Sequence, residues 1–175
     1  MMRKILLLSL ALLLPGAIFL FLHFFGKNEF DVPILFREAK ELPPDCAQQS
    51  QFPYMVKSSA VDVSGGCVVL FSSGLTARGF DDALFQLGRL NNEFGPKAPR
   101  VVILKKTGDG LPMARNEVTL DTVAYKEEQK CVFLAGPNRI VLVDREGHIR
   151  GLYPDASLEE IDRLIVEVDI IFKKY

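Results

Sequence analysis

Three cysteines and two histidines are the scarce side chains of this 175-residue chain with soft-metal or nucleophilic character. Cys46, Cys67 and Cys131 are far apart in sequence, and none lies within four residues of another, so there is no Cys-x-x-Cys dithiol. Three cysteines allow one internal bridge in three pairings and leave one thiol over. Cys67 and Cys131 each border an apolar run, and the default for both is a small buried core residue. The alternative is a disulfide between Cys67 and Cys131, which needs Cα atoms roughly 4.4–6.8 Å apart. His148 follows Gly147 in what reads as a turn, with no second ligand near it in sequence, so a surface turn explains it better than a metal.

Other polar groupings have plainer explanations. Ser72-Ser73-Gly74-Leu75-Thr76 lacks the spacing of a phosphate-binding loop and reads as a strand-to-helix connection with Thr76 as cap. Asp81-Asp82, near a helix start, complement the helix dipole. The charged cluster at 126–130 reads as a solvated face. Pro137, ahead of a late strand, is a candidate cis-proline.

The elements that would position these residues follow from the apolar pattern. The run 5–25 holds no Asp, Glu, Lys or Arg, and Arg3 and Lys4 precede it. Its length suits a membrane span, and the charge asymmetry places the N-terminus in the cytoplasm and the remainder outside. A cleaved signal would have a shorter apolar core and small residues after it; here Leu-His-Phe-Phe follows. The expected division is an anchor over 1–26, a membrane-proximal irregular segment over 27–60 rich in proline, and one domain over 61–175. From Lys27 onward 19 basic residues face 22 acidic ones, a balance of −3 that suggests no nucleic-acid partner.

Within the domain, 67–71 is a continuous apolar run and predicts a strand buried on both faces. A helix over 78–94 follows, with Phe80, Leu84, Leu87 and Leu90 at helical spacing and Gly95-Pro96 as its stop. The runs 101–104, 131–134 and 140–143 predict further strands, and 122–128 a short helix. Asp-Arg-Glu-Gly at 144–147 predicts a hairpin turn into a strand over 148–152. Ser157 with Glu160 reads as a capping box opening an amphipathic helix, with Leu158, Ile161, Ile165, Val168 and Phe172 on one face. The expected fold class is α/β: a thioredoxin-like mixed sheet flanked by helices, preceded by one transmembrane helix.

The stretch 140–153, Ile-Val-Leu-Val-Asp-Arg-Glu-Gly-His-Ile-Arg-Gly-Leu-Tyr, followed by its capped helix, resembles the closing section of Sco/SenC proteins. The apolar run followed by Phe25-Gly26-Lys27-Asn28-Glu29-Phe30 and Val32-Pro33 is similar to the start of membrane-tethered bacterial members. That resemblance implies a thioredoxin fold at the outer face of the bacterial inner membrane. It also implies copper delivery or dithiol exchange in cytochrome c oxidase assembly. The family uses a Cys-x-x-x-Cys pair after the first βα strand and a histidine before the late strand, donors that suit copper. Here the corresponding positions fall at Gly74, Arg78 and near Gly136. The implied cofactor therefore has no ligands at the family positions, and no catalytic residue can be named. The expectation is a non-catalytic accessory with a degenerate site, held to lipid by its N-terminal helix and working with protein partners outside the cytoplasm. The alternative is thiol-disulfide or copper handling through Cys67 and Cys131, or Cys46, at a non-standard site.

Overall fold

The computed structural model describes residues 13–21, 31–46 and 51–173 of the chain. It contains two compact units, Met1–Asp31 and Val32–Tyr175. In the first, residues 13–21 are helical with exposed side chains. Among the described residues no helix is long and apolar enough to cross a membrane, and most of the 5–25 run expected to do so lies outside them.

The second unit is a mixed α/β domain. Its five-stranded sheet has the order β3-β2-β1-β4-β5, with β1 at Cys67–Phe71, β2 at Arg100–Lys106, β3 at Glu117–Leu120, β4 at Ile140–Val143 and β5 at Ile149–Tyr153. Strands β1, β2 and β3 run parallel, while β4 is antiparallel to both β1 and β5. The central β1 is buried at every position, which explains its unbroken apolar sequence.

Alternation along the strands divides the core into two. Val68, Leu70, Ile103, Ile140 and Leu142 face two long helices, α1 (Ala77–Phe94) and α3 (Leu158–Lys173). Cys67, Val69, Phe71, Val102, Leu104, Val141 and Val143 form the other face. Helix α1 buries Phe80, Ala83, Leu87 and Leu90 and is capped by Thr76, whose hydroxyl accepts from the Gly79 amide. Helix α3 buries Ile161, Leu164, Val168 and Ile171, leaving Leu158 mostly exposed. The expected reciprocal capping box is replaced. Asp155 accepts from the Ser157 amide, and the Glu160 carboxylate pairs with Arg163 instead.

The second face is covered by the short helix α2 (Thr122–Glu127), a following one-turn π-helical segment (Glu128–Val132) and the strap from Val32 to about residue 60. The expected strand at 131–134 is therefore not formed. Its apolar residues pack downward from a turn, with the Phe133 amide bonded to the Glu128 carbonyl and Leu134 in the left-handed region. Burial rather than a ladder explains that run. Among its described residues the strap forms no strand beyond the single Met55–His148 bridge. Its ends are fixed by Leu35 N–H to the Ile149 carbonyl, Val56 N–H to the Gly147 carbonyl, and the Arg150 guanidinium on the Val32 carbonyl. The cis X–Pro bond of the described residues precedes Pro53, not Pro137.

Candidate functional site

The residues at the C-terminal end of β1 form the loop 72–76, where α1 begins. Ser72 is fully buried, its hydroxyl donating to the Asp109 carboxylate at 3.2 Å. The Ser73 amide donates to the Tyr125 hydroxyl at 3.0 Å, and Arg139 Nη1 donates to the Ser73 carbonyl at 2.6 Å. Both backbone groups of Ser73 are thus occupied by side chains from α2 and from the turn before β4. Tyr125 is itself buried in an edge-to-face contact with Phe71, and burial raises its hydroxyl pKa.

Gly74 adopts φ +78° in this loop, so any side chain there is strained whatever its chemistry. An added Cβ would also lie 3.6 Å from Arg139 Nη2. Arg78 is exposed in the first turn of α1, and Gly136 is exposed at φ +57° in the turn before β4. These three positions supply no thiolate or imidazole, and two of the three have backbone geometry that favours glycine. They do not fit copper. What meets the loop from the late turn is the Arg139 guanidinium, a cation with no lone pair to offer a metal.

Several clefts open on the described residues. A cavity of about 150 Å³ lies under the loop, lined by Leu70, Leu75, Ala83, Arg139 and Asp155. Grooves of about 310 and 230 Å³ flank α1 and the β2–β3 edge, the first beside Leu84 and Asn116, the second beside Asp62 and Arg100. The 150 Å³ cavity is well below the several hundred Å³ of an ordinary ligand pocket. None of the three is lined by cysteine or histidine.

The cysteines pair differently from the sequence expectation. Cys131 bridges Cys46, with Cα atoms 5.1 Å apart, and Cys67 is the free thiol. A Cys67–Cys131 disulfide is therefore corrected. Cys67 lies within the central strand, paired in register with Arg100 and Val143, and is fully buried. Burial pushes its thiol up to about 12, which leaves it without thiolate character at neutral pH. Cys131 lies on the π-helical turn, which the strap crosses, and Cys46 comes to it.

His148 does have carboxylates near it: ligand atoms of Asp144, Glu146 and His148 lie within 4.8 Å of one another. Asp144 is already committed. One oxygen accepts from the Glu146 and His148 amides, the other from Arg150 at 2.9 Å. That buried pair closes the hairpin, and three donors already occupy the Asp144 carboxylate. The solvated face expected at 126–130 holds for Lys126, Glu127 and Lys130, which are exposed, but not for Glu128. Glu128 is only 6 % exposed, and its Oε2 lacks a hydrogen-bond partner. Burial raises its pKa, although the Ser58 hydroxyl and Ala60 amide oppose this.

Tyr125, Arg139 and Asp109 were not singled out by their sequence context. Their partners are the backbone of one serine and a neighbouring hydroxyl, which leave no spacing signature. Compared with known proteins, the chain matches no family model and no curated protein.

Proposed function

We propose that this chain is a membrane-tethered, thioredoxin-like domain of Sco/SenC type that has given up dithiol and copper chemistry. It acts as a non-catalytic accessory, contacting other proteins at the outer face of a bacterial inner membrane during assembly of a respiratory complex or metalloprotein. The strand order supports the fold reading: a parallel β1–β2 pair joined through α1, then the antiparallel β4–β5 hairpin beside β1, then a terminal helix. The uncharged run 5–25 supports the tether.

The observation that carries the loss of chemistry is the loop after β1. Ser73 is clamped by Tyr125 and Arg139, and Gly74 stands in a left-handed conformation where a ligand would be required. The test is Cu(I) titration of the full chain in detergent micelles, with ascorbate as the reductant so that Cys46–Cys131 stays bridged. No tight stoichiometric binding is expected. A tight one-to-one complex would remove the reading. The thiol-based alternative rests on Cys46–Cys131 alone, because Cys67 is sealed in the sheet.

A further inference from the structure

The five-stranded sheet ends on two unlike edges. Beyond β5 the strap supplies partners, with the Leu35 amide on the Ile149 carbonyl and a bridge from Met55 to His148. At β3 no described residue pairs with the outer side. The carbonyls of Asn116 and Leu120 are taken by the amides of Ile103 and Thr107. Backbone polar groups alternate along a strand, so the N–H and C=O of Glu117 and Thr119 point away from β2. The approach to this edge is firmly held from beneath. Buried Lys105 donates to the Leu111 and Pro112 carbonyls at 3.1 and 3.0 Å and to the Glu117 carboxylate at 3.4 Å. The same carboxylate accepts from the Ala114 amide. Two apolar side chains nevertheless stand bare at its ends, Met113 at 90 % exposure and Val123 at 79 %. A fixed edge with unpaired backbone groups is a template for an added strand.

We infer that β3 pairs antiparallel with β3 of a second copy of this chain, about a two-fold axis at Val118. The charge pattern along the edge is its own complement. With the axis at Val118, Glu117 exchanges backbone bonds with Thr119 of the second copy, and Arg115 comes opposite Asp121 at either end. Arg115 is exposed and has no ion pair among the described residues. Asp121 caps α2 through Oδ1, which leaves Oδ2 for the guanidinium. Met113 falls at the same end as Val123 of the second copy, where grooves of about 310 and 230 Å³ open beside Asn116. The neighbouring registers that use the same outward groups are disfavoured. An axis at Glu117 sets two glutamates opposite each other, and an axis at Thr119 sets Glu117 opposite Asp121. Like charges directly opposed across a ladder destabilise it. This inference goes beyond the proposed accessory role. It uses no residue of the loop 72–76, so copper titration and the present test fail independently.

The test is sedimentation of the full chain in density-matched detergent micelles over a range of concentrations, where a reversible monomer–dimer equilibrium is expected. Thr119→Pro removes an amide that β2 does not use, so it should weaken the dimer by about tenfold or more while the circular dichroism stays parental. Arg115→Glu changes an exposed side chain that the fold does not use and should weaken the dimer by a similar factor. Register is read separately by mild oxidation. Two copies of Val118→Cys should crosslink, because Cα atoms of a non-hydrogen-bonded antiparallel pair lie about 4.5 Å apart. Thr119→Cys should crosslink far more slowly. A parent that stays monomeric overturns the proposal. So does a dimer that survives both Thr119→Pro and Arg115→Glu, or crosslinking that is faster at position 119 than at 118.

Discussion

Glu128 carries the least comfortable atom among the described residues, a buried carboxylate oxygen without a partner. Its pKa is raised, so the folded state holds the proton more tightly than the unfolded chain. The sign follows from linkage: this group's contribution is most favourable at low pH. It is lost as pH rises above the ordinary value of 4.5 and through the raised folded value. Glu128→Gln should therefore stabilise the domain near pH 8 by about 1 kcal/mol, the low end of the cost of an unpaired buried polar group. Near pH 4 it should change little. Denaturant midpoints of both proteins across that range check the prediction, and a gain equal at both ends would contradict it. Sequence gave no access to this residue. Its neighbours in the 126–130 cluster are charged, and such a run looks solvated unless one knows that a strap lies over it.

Elements were legible where a pattern had one physical cause. The 67–71 run could be a strand because its whole length is buried between two covered faces. The 131–134 run looked equivalent, but four apolar residues are too few to separate a buried turn from a buried strand. The pair Cys46–Cys131 was not singled out, for a related reason. Cys67 and Cys131 share strand-like contexts, while Cys46 arrives through a proline-rich strap whose path no local pattern encodes. Strand β5 and helix α3 are joined by a contact that is equally silent in sequence. The Tyr153 hydroxyl donates to the Glu167 carboxylate at 2.5 Å, and the Arg163 guanidinium lies over the ring at 4.4 Å. Gly151 leaves room for that hydroxyl: an added Cβ would collide with it and come within 2.9 Å of Glu167. Gly151→Ala should cost about 1–3 kcal/mol through overpacking, measured as a lowered denaturant midpoint. A neutral result would show that Tyr153 can swing aside freely.

For the whole molecule, the decisive link is between the start of the compact unit and its last hairpin. Arg150, buried in β5, reaches the Val32 carbonyl and pairs with the buried Asp144. Removing the guanidinium strands a carboxylate inside, so Arg150→Met should destabilise the domain by about 3–5 kcal/mol. Adding Asp144→Asn should recover part of that loss, and a double-variant cycle in urea measures the coupling. Additive losses would mean that the pair is incidental.

That clamp also fixes the path of mechanical load. Any tension carried by the N-terminal segment enters the domain at Val32, where it meets a guanidinium seated on a buried carboxylate, then the β4–β5 hairpin and the central strand beside it. The loop 72–76, the turn before β4 and the bridge at Cys46 lie further along the chain than this point of entry. If the N-terminal segment is the proposed tether, a pull on it would load the Arg150 clamp and the β4–β5 hairpin before the loop 72–76.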